Sequence, residues 1–502
     1  MKITLLNNYI KFGFFCFFVT ATFSSCDKRF EDLNTNPNEP SSTFTSFLLS
    51  NAQKSMMDYT WDEWFNGRRG NQLAQYWSSN QYSNESRYSL RPTITNSYWS
   101  LFYANSLQDL QEIIRLNTDS PDDYVGFGKT ANQIGIAKVL QTWLYQNMTD
   151  CWGPIPYSQA LQGADYPNPK FDSQKDVYLG MISALNDAIN NFDETDNSVQ
   201  GDLIYGGDIS MWKKFANSLK LRVALRMIET SESAAATTAA TEAIASGVFT
   251  SNADNAVFSY LGGTPNNNPI NEDYQTRNDF AASNIMVDVL DSLNDPRVGF
   301  YYAPAANSGN YVGEVYGLNE ANAALTLNGD VSQRGSQVLS ATAPGVYLDY
   351  AQVEFMLAEC AERGISGAGS AGTHYSNGIT ASMNFWDENA TLTTTDISNY
   401  IAQANVDYTT LINGGETWKQ VIGKQKWIAL YMQGIQGWTE YRRLDFGILQ
   451  LPADGTLMGS GIPTRMIYPE DEQTLNATEY TNALSTLGGA DDQDTKLWWD
   501  VN

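Results

Sequence analysis

The 502-residue sequence offers little material for catalysis, because it contains one histidine, His374. A metal site with two histidines is therefore impossible, and a Ser–His–acid triad would have to use His374. That residue stands in the segment 372–375, which has helical character, so a packed or solvated imidazole is the better interpretation. No CxxC, HExxH or GxSxG motif supports a metal site or a hydrolase.

A literal GxGxxG motif occurs at residues 367–372. Dinucleotide binding requires this turn to follow a strand within a βαβ unit. Here it follows a predicted helix that ends near Gly364 and precedes another helix. The motif is therefore interpreted as a flexible connection between two helices, and no cofactor is expected.

Carboxylates are the one catalytic group in abundance, with 56 Asp and Glu residues. A glycosidase needs only two of them at a suitable separation, so the sequence does not exclude a pair, although solvated surface charge is the favoured interpretation. The cluster 491–494 is acidic enough for Ca²⁺ to be possible. No twelve-residue loop with a closing Glu supports a calcium site, and surface solvation is again favoured.

Binding is the chemistry that the sequence favours, because flat rings stand beside hydrogen-bonding side chains in two segments, Trp61–Tyr88 and Asn267–Asp279. Sugars offer C–H patches that stack on aromatic faces, and hydroxyls that suit Asn, Gln, Asp and Arg. For any single ring, Trp61, Trp64 and Tyr274 included, packing in the core is still the favoured interpretation, and more strongly so for Trp77, which follows Leu73 at helical spacing. The candidate ligand-binding residues are Trp61, Trp64, Tyr82, Tyr88, Tyr274 and Arg277.

The N-terminus predicts export. Lys2 and Lys11 precede an apolar run over 12–23 and then Ser24-Ser25-Cys26, which is the pattern of a signal peptide over 1–25. Cys26 is the predicted lipidation site and first mature residue, and acyl chains there would hold the protein on a membrane. The alternative is an ordinary cleaved signal in which Cys26 is incidental. Residues 26–46, rich in Asn, Pro, Ser and Thr, are interpreted as an extended tether.

The acidic composition argues against nucleic acid as a partner. The net charge is −26, and removal of Lys2 and Lys11 would make it −28. Such a surface repels phosphate backbones, so nucleic-acid binding is not expected. With Cys16 removed and Cys26 acylated, Cys151 and Cys360 are the cysteines that remain for a disulfide, and the sequence around Cys360 favours packing as a small hydrophobe instead.

Apolar residues recur at helical spacing in much of the body, 47–502, which is interpreted as one mostly α-helical unit, although its length alone equally permits two or three domains. Helices are predicted near 130–148, 174–192, 210–229, 347–364, 371–387 and 416–434, with Asp208 or Ser210 as a cap for the third. Residues 62–91 are predicted to be a surface loop region and 230–345 long irregular connections. Irregular insertions are placed at about 250–345 and 445–502. Paired helices of this length suggest degenerate tetratricopeptide-like hairpins.

Several segments, taken in order, resemble one family. They are Cys26 with 32–38, the turn 153–157, the helix 212–222, the tripeptide 295–297, and the stretches 350–359 and 437–444. In these segments the chain resembles the SusD/RagB outer-membrane lipoproteins, and the resemblance covers nearly the whole mature chain.

The resemblance implies a mostly α-helical body in which degenerate tetratricopeptide-like helical hairpins are packed with a large irregular loop-rich ligand-binding region. The resemblance also implies a binding protein and not an enzyme. It would sit on the outer face of the outer membrane of a Gram-negative bacterium, anchored by its lipid. It would capture oligosaccharides, or peptides in some members, and deliver them as a lid to a SusC-like TonB-dependent barrel transporter. The family's ligand contacts lie in variable loops, so no contact residue is carried over by position. The alternative function is a solenoid assembly scaffold for an outer-membrane complex, with no small ligand of its own.

Overall fold

Twenty α-helices account for about half of residues 43–502, the part of the chain that this computed structural model describes. In chain order they are α1 (Thr45–Trp61), α2 (Pro92–Leu101), α3 (Gln108–Asp119), α4 (Pro121–Tyr124), α5 (Thr130–Trp152), α6 (Gln174–Asn191), α7 (Ile209–Met227), α8 (Ser233–Ser246), α9 (Pro269–Tyr274), α10 (Asn284–Ser292), α11 (Val298–Tyr301), α12 (Glu320–Ala323), α13 (Tyr350–Glu362), α14 (Ala371–Trp386), α15 (Thr394–Ile401), α16 (Tyr408–Asn413), α17 (Trp418–Ala429), α18 (Gly434–Leu444), α19 (Glu470–Leu475) and α20 (Ala477–Leu487).

Two π-helices and six short strands complete the regular structure of the described residues, apart from four single-turn 3₁₀ helices. The π-helices are π1 (Glu63–Asn71) and π2 (Phe102–Leu107). The strands are β1 (Trp77–Ser79), β2 (Ile155–Pro156), β3 (Phe171–Asp172), β4 (Ala256–Phe258), β5 (Phe280–Ala282) and β6 (Gly345–Leu348). They form three antiparallel pairs, β1–β5, β2–β3 and β4–β6.

The apolar periodicity predicted the long helices correctly. Helix α7 buries the predicted stripe from Trp212 to Met227, and the Asp208 side chain caps it by accepting from the backbone N–H groups of Ser210 and Met211. Consecutive helices pack on one another: α5 on α6, α6 on α7, α7 on α8, and later α13 on α14 and α17 on α18. The body is thus mostly α-helical and built of tetratricopeptide-like hairpins, as predicted.

A group of buried charges ties these hairpins together. Arg226 on α7 pairs with Asp150 on α5 and with Glu440 on α18. Glu440 also pairs with Lys426 and Arg443, at 3.0 Å and 2.7 Å. Arg443 in turn pairs with Glu359 on α13. We call these six residues the central ion network: Asp150, Arg226, Glu359, Lys426, Glu440 and Arg443.

The central ion network is balanced, with three cations and three anions, all at most 2% exposed at the side chain. Burial alone would raise the pKa of Glu440, but Arg226, Arg443 and Lys426 lower it well below its usual value. The carboxylate therefore stays ionised inside the helical body and holds α7, α17 and α18 in one arrangement.

Residues 62–91 differ from the surface loop that was predicted. They contain π1, and nearly all of its residues are buried. Arg68 and Arg69 go inside because they pair with Glu85 and Asp279. Side chains that are buried as ion pairs are polar, so they produce no repeat of apolar residues in the sequence. The segment was therefore interpreted as a loop.

The interval 230–345 is also more regular than predicted, because it begins with α8. This helix is rich in alanine and buries Ala236, Ala239, Ala240 and Ala243. Small residues at helical spacing gave too weak an apolar signal to stand out against the Ser and Thr around them. Two short helices, α19 and α20, likewise lie within 445–502.

The structure also shows where the glycine-rich motif and the two cysteines lie. The glycine-rich motif 367–372 lies between α13 and the start of α14, as predicted for a helix connection. Cys151 and Cys360 are buried free thiols. Within 43–502 none of the helices has the length and apolarity to span a bilayer.

Residues 45–502 form one compact unit. The signal peptide (1–25), Cys26 and residues 27–42 of the tether lie outside the described residues.

Candidate functional site

A short strand pair brings the two candidate segments of the sequence together. Strand β1 pairs antiparallel with β5, and Trp77 stands opposite Ala282 while Ser79 stands opposite Phe280. The pairing continues beyond the strands, because the Asn80 N–H donates to the Asp279 carbonyl at 3.0 Å. The loop after β1 and the loop before β5 are therefore neighbours, although about 200 residues separate them.

Helix π1 carries the first ring of the site. Its N-cap is Asp62, whose carboxylate accepts from the backbone N–H groups of Trp64 and Phe65 at 3.1 Å and 2.7 Å, and from the hydroxyl of Tyr98. Trp64 is half-buried in the first turn. Burial raises the pKa of Asp62 to about 7, against the lowering effect of those hydrogen bonds. The position of Trp64 thus depends on a carboxyl group that titrates near neutral pH.

Tyr82 is the most exposed ring of the site, with 48% of its surface accessible. Its backbone lies in the left-handed region at φ +55°, an uncommon conformation for a bulky residue that is often found at functional sites. The guanidinium carbons of Arg277 and Arg91 lie 5.4 Å and 5.5 Å from its ring centroid. Arg277 also lies 5.2 Å from the Trp64 ring, so it stands close to both aromatic rings.

Two carboxylates hold the arginines of this surface. Glu85 accepts from Arg68 and Arg69 at 3.0 Å and 2.7 Å and lies 3.5 Å from Nε of Arg91. Asp279 accepts from Arg68 at 2.7 Å and from Arg277 at 2.5 Å. We call the four residues Arg68, Arg69, Arg91 and Arg277 the site arginine cluster. Its members range from fully buried at Arg69 to 37% exposed at Arg91.

Tyr274, on α9, borders the same surface through another arginine. Its ring is 37% exposed, and the guanidinium carbon of Arg334 lies 5.1 Å from its centroid. Arg334 is buried, pairs with Glu63 in π1, and also lies 5.8 Å from the Phe280 ring. The guanidinium of Arg68 approaches Phe280 as well, at 5.3 Å, so Tyr274 lies beside the site arginine cluster.

Of the six candidate residues, Trp64, Tyr82, Tyr274 and Arg277 are thus brought together, while Trp61 and Tyr88 are not part of this surface. Tyr88 is completely buried, and its hydroxyl accepts from Gln75 at 3.3 Å. Trp61, 6% exposed at the end of α1, lines a separate cavity of about 120 Å³ together with Trp386, Tyr431 and Val346. Trp77 is fully buried, as predicted.

Sequence reasoning missed Arg68, Arg91, Glu85 and Asp279 as parts of the site. The signal that could have revealed them is local charge: Arg68, Arg69, Arg87 and Arg91 fall within 24 residues of a chain with only 30 basic residues. Such a concentration in an acidic protein indicates that the arginines have partners or a ligand.

His374, considered for catalysis, and the acidic cluster 491–494, considered for calcium, both have partners within the protein. His374 lies on α14, where Nδ1 is 2.6 Å from Oε2 of Glu354, and this hydrogen bond raises its pKa. Asp491 accepts from Arg465, and Asp494 accepts from the Ser460 N–H. No group of three or more His, Cys, Asp or Glu side chains in 43–502 is arranged to hold a metal ion.

The site therefore combines two partly accessible rings, Trp64 and Tyr82, with guanidinium and amide donors at their edges. Asn84 and Gln81 are exposed beside Tyr82. Rings of this kind suit the apolar face of a flat molecule, and the donors suit its hydroxyl or acidic groups. This arrangement can bind and orient a ligand.

The chain belongs to the SusD-like family: a family model described as "Starch-binding associating with outer membrane" matches residues 37–469. A search of curated proteins found no match.

Solved structures agree with this assignment. A chitin-binding protein is 27% identical with a TM-score of 0.80, over 91% of this chain and 100% of that one. A SusD homologue from Bacteroides ovatus is 25% identical with a TM-score of 0.76, over 91% and 99%. A chitin-binding SusD homologue from Flavobacterium johnsoniae, 23% identical with a TM-score of 0.76 over 90% and 99%, shares the fold.

Proposed function

We propose that this protein is a cell-surface binding protein for oligosaccharides and that its ligand lies on Trp64, Tyr82 and Tyr274 with Arg277 at the edge. The observation that carries the proposal is the meeting of Trp64, Tyr82 and Arg277 across the β1–β5 pair, with rings left partly open to solvent. Family membership and the chitin-binding relative at 27% identity support a glycan as the ligand.

The affinity should be modest. A few stacked rings and half-exposed hydrogen bonds correspond to a Kd from micromolar to millimolar, roughly −8 to −4 kcal/mol. Binding without turnover is expected, because the family model and the chitin-binding relative both describe binding. Weak binding suits a protein that must release its cargo.

Delivery to a partner is the second half of the proposal. The lipid-anchored body would cap a SusC-like TonB-dependent barrel and pass the oligosaccharide to it, with ligand favouring the closed state. A ligand can shift that balance only if it binds the closed state better than the open one. Family membership supports this role.

The test is binding of the full chain, purified in detergent, to a glycan array, followed by titration calorimetry on each hit. Binding that is lost in Tyr82→Ala and Trp64→Ala but retained in the control Tyr166→Ala supports the proposal; Tyr166 is 41% exposed and lies elsewhere on the surface. A blank array together with co-purification of a barrel protein would favour the scaffold alternative. For the delivery step, equal glycan affinity with and without the barrel would rule out the lid mechanism.

A further inference from the structure

The distribution of hydrogen bonds around the site arginine cluster singles out Arg91. Among the arginines of residues 43–502 it is the one whose side chain donates no hydrogen bond; its closest carboxylate oxygen, Oε2 of Glu85, lies 3.5 Å from Nε. Its side chain is 37% exposed. Every other exposed arginine of the described chain is bonded: Arg115, 53% exposed, pairs with Glu112 and Asp119. A guanidinium that donates no hydrogen bond in so acidic a protein has capacity for an external anion.

Arg277 offers a second group of free donors. Its Nε and Nη2 both donate to one oxygen of Asp279, at 3.0 Å and 2.5 Å, while Nη1 has no acceptor. The side chain is 32% exposed. Arg91 and Arg277 both contact the ring of Tyr82, so two partly free guanidinium groups flank the most exposed aromatic residue of the site.

Charge is not balanced at this surface. The four guanidinium groups of the site arginine cluster share two carboxylates, Glu85 and Asp279, which leaves two positive charges uncompensated. Glu63 is matched by Arg334. Asp273 also faces Arg277, but burial raises its pKa, and even a full negative charge there would leave a surplus of one. The protein as a whole carries −26, so this surface is a local exception.

We propose that the site selects oligosaccharides that carry an anionic substituent, a uronate carboxylate or a sulfate ester, which Arg91 and Arg277 bind while a sugar ring stacks on Tyr82. This inference rests on the proposed function, because it names the class of glycan. Guanidinium groups bind carboxylate and sulfate oxygens through paired, charge-assisted hydrogen bonds. At physiological ionic strength the remote acidic surface is screened within about 8 Å, so the nearby arginines dominate the interaction.

The experiment compares matched ligands by titration calorimetry on the full chain in detergent. One pair is an oligogalacturonide and its carboxyl-reduced neutral form of the same length; the other is a sulfated oligosaccharide and its desulfated form. We expect the acidic member of one pair to bind at least about tenfold more tightly, which corresponds to about 1.4 kcal/mol. The pair that shows the preference identifies the substituent. Added salt should reduce the preference.

Variants locate the effect. Arg91→Gln and Arg277→Gln should each abolish most of the acidic preference, because each removes a guanidinium group that binds the anionic substituent. Arg115→Gln, which removes an exposed arginine on α3, is the matched control and should retain the preference. Circular dichroism melts verify that each variant is folded; Glu85 and Asp279 keep Arg68 as a partner in both site variants.

The outcomes separate the two proposals. Neutral members that bind as tightly as their acidic partners, or an acidic preference that survives in Arg91→Gln and Arg277→Gln, would overturn the anionic assignment and leave glycan binding intact. Absence of any glycan hit, neutral or acidic, on the array would overturn the proposed function and this inference with it.

Discussion

Two groups of arginines in this protein bind carboxylates in opposite ways. In the central ion network three buried cations meet three buried anions, and Arg363, 14% exposed, pairs with Glu359 at the edge of the network. In the site arginine cluster four guanidinium groups share two carboxylates, and exposure increases from Arg69 to Arg91. The same pairing chemistry therefore fixes helices in one region and leaves binding capacity in the other.

The comparison teaches that balance and burial, more than the residue types, separate a structural ion pair from a binding group. Removing one partner of a buried pair leaves an uncompensated charge without water, whereas an exposed guanidinium is solvated when its partner leaves. Changes in the central ion network should therefore affect stability, and changes at the exposed end of the site should affect ligand affinity. Each of the following predictions tests that division.

The largest effect is expected for Glu440→Gln. Three cations, Arg226, Lys426 and Arg443, would lose their shared anion inside the helical body. We expect the free energy of unfolding, measured by urea denaturation, to fall by about 3–5 kcal/mol. The control is Glu112→Gln, which breaks an exposed pair with Arg115 and should cost less than about 1 kcal/mol. Equal losses in the two variants would contradict the proposed division.

A pH dependence is expected from Asp62, the cap of π1. Burial raises its pKa from 3.8 to about 7, so the folded chain keeps a proton that the unfolded chain has already released. The free energy of unfolding should therefore fall as pH rises from about 4 to about 7, with a slope of at most about 1.4 kcal/mol per pH unit from this group, and level off above. Asp62→Asn does not titrate, and urea denaturation across this range should show a flatter profile. An unchanged slope in Asp62→Asn would remove Asp62 as the cause.

Gly434→Ala should weaken the contact between α18, which carries part of the central ion network, and π1, which carries part of the site. A Cβ at Gly434, the first residue of α18, would lie 2.1 Å from the backbone carbon of Gly70 in π1, so the two backbones would have to separate. Overpacking of this kind costs about 1–3 kcal/mol. Because π1 also carries Trp64 and Arg68, ligand affinity should fall together with stability. The control is Gly126→Ala, where an added Cβ meets no neighbour. Full ligand affinity in a destabilised Gly434→Ala would show that π1 does not transmit the strain.

The smallest effect on stability is expected for Tyr82→Ala. The ring is half-exposed, so its loss should change the free energy of unfolding by less than about 0.5 kcal/mol. Glycan affinity should nevertheless fall about tenfold or more, as for an aromatic anchor at an interface. Tyr82→Phe keeps the ring and should retain most of the affinity. Calorimetry and thermal melts on the same samples measure both quantities, and a large loss of stability with unchanged affinity would assign Tyr82 to the scaffold.

Sequence reasoning recovered the scaffold better than the site. The long helices were predictable because buried apolar residues recur at helical spacing, as from Trp212 to Met227. The segments that carried the family resemblance also supply Glu359, Glu440 and Arg443 of the central ion network.

In the site, Trp64, Tyr82, Tyr274 and Arg277 were predicted as candidates from ring and donor composition, and their contact with a ligand stays a prediction. Arg68 could not be placed, because its two carboxylates lie 17 and 211 residues away in the chain. Trp61 and Tyr88 looked equivalent to Trp64 and Tyr82 in the sequence. Only the packing of the distant chain around them buries the first two.

The three-residue ribbon of β1 and β5 has a consequence for how the protein could diversify its cargo. The loops on either side of the ribbon hold Tyr82 and Arg277, whereas the central ion network lies between helices of the body. Substitutions in those loops can alter the recognised molecule without loosening the helices, provided that the few amide hydrogen bonds between Trp77–Asn80 and Asp279–Ala282 survive. Slow hydrogen exchange at these amides would show that the β1–β5 pair is intact in a variant, whichever ligand that variant binds.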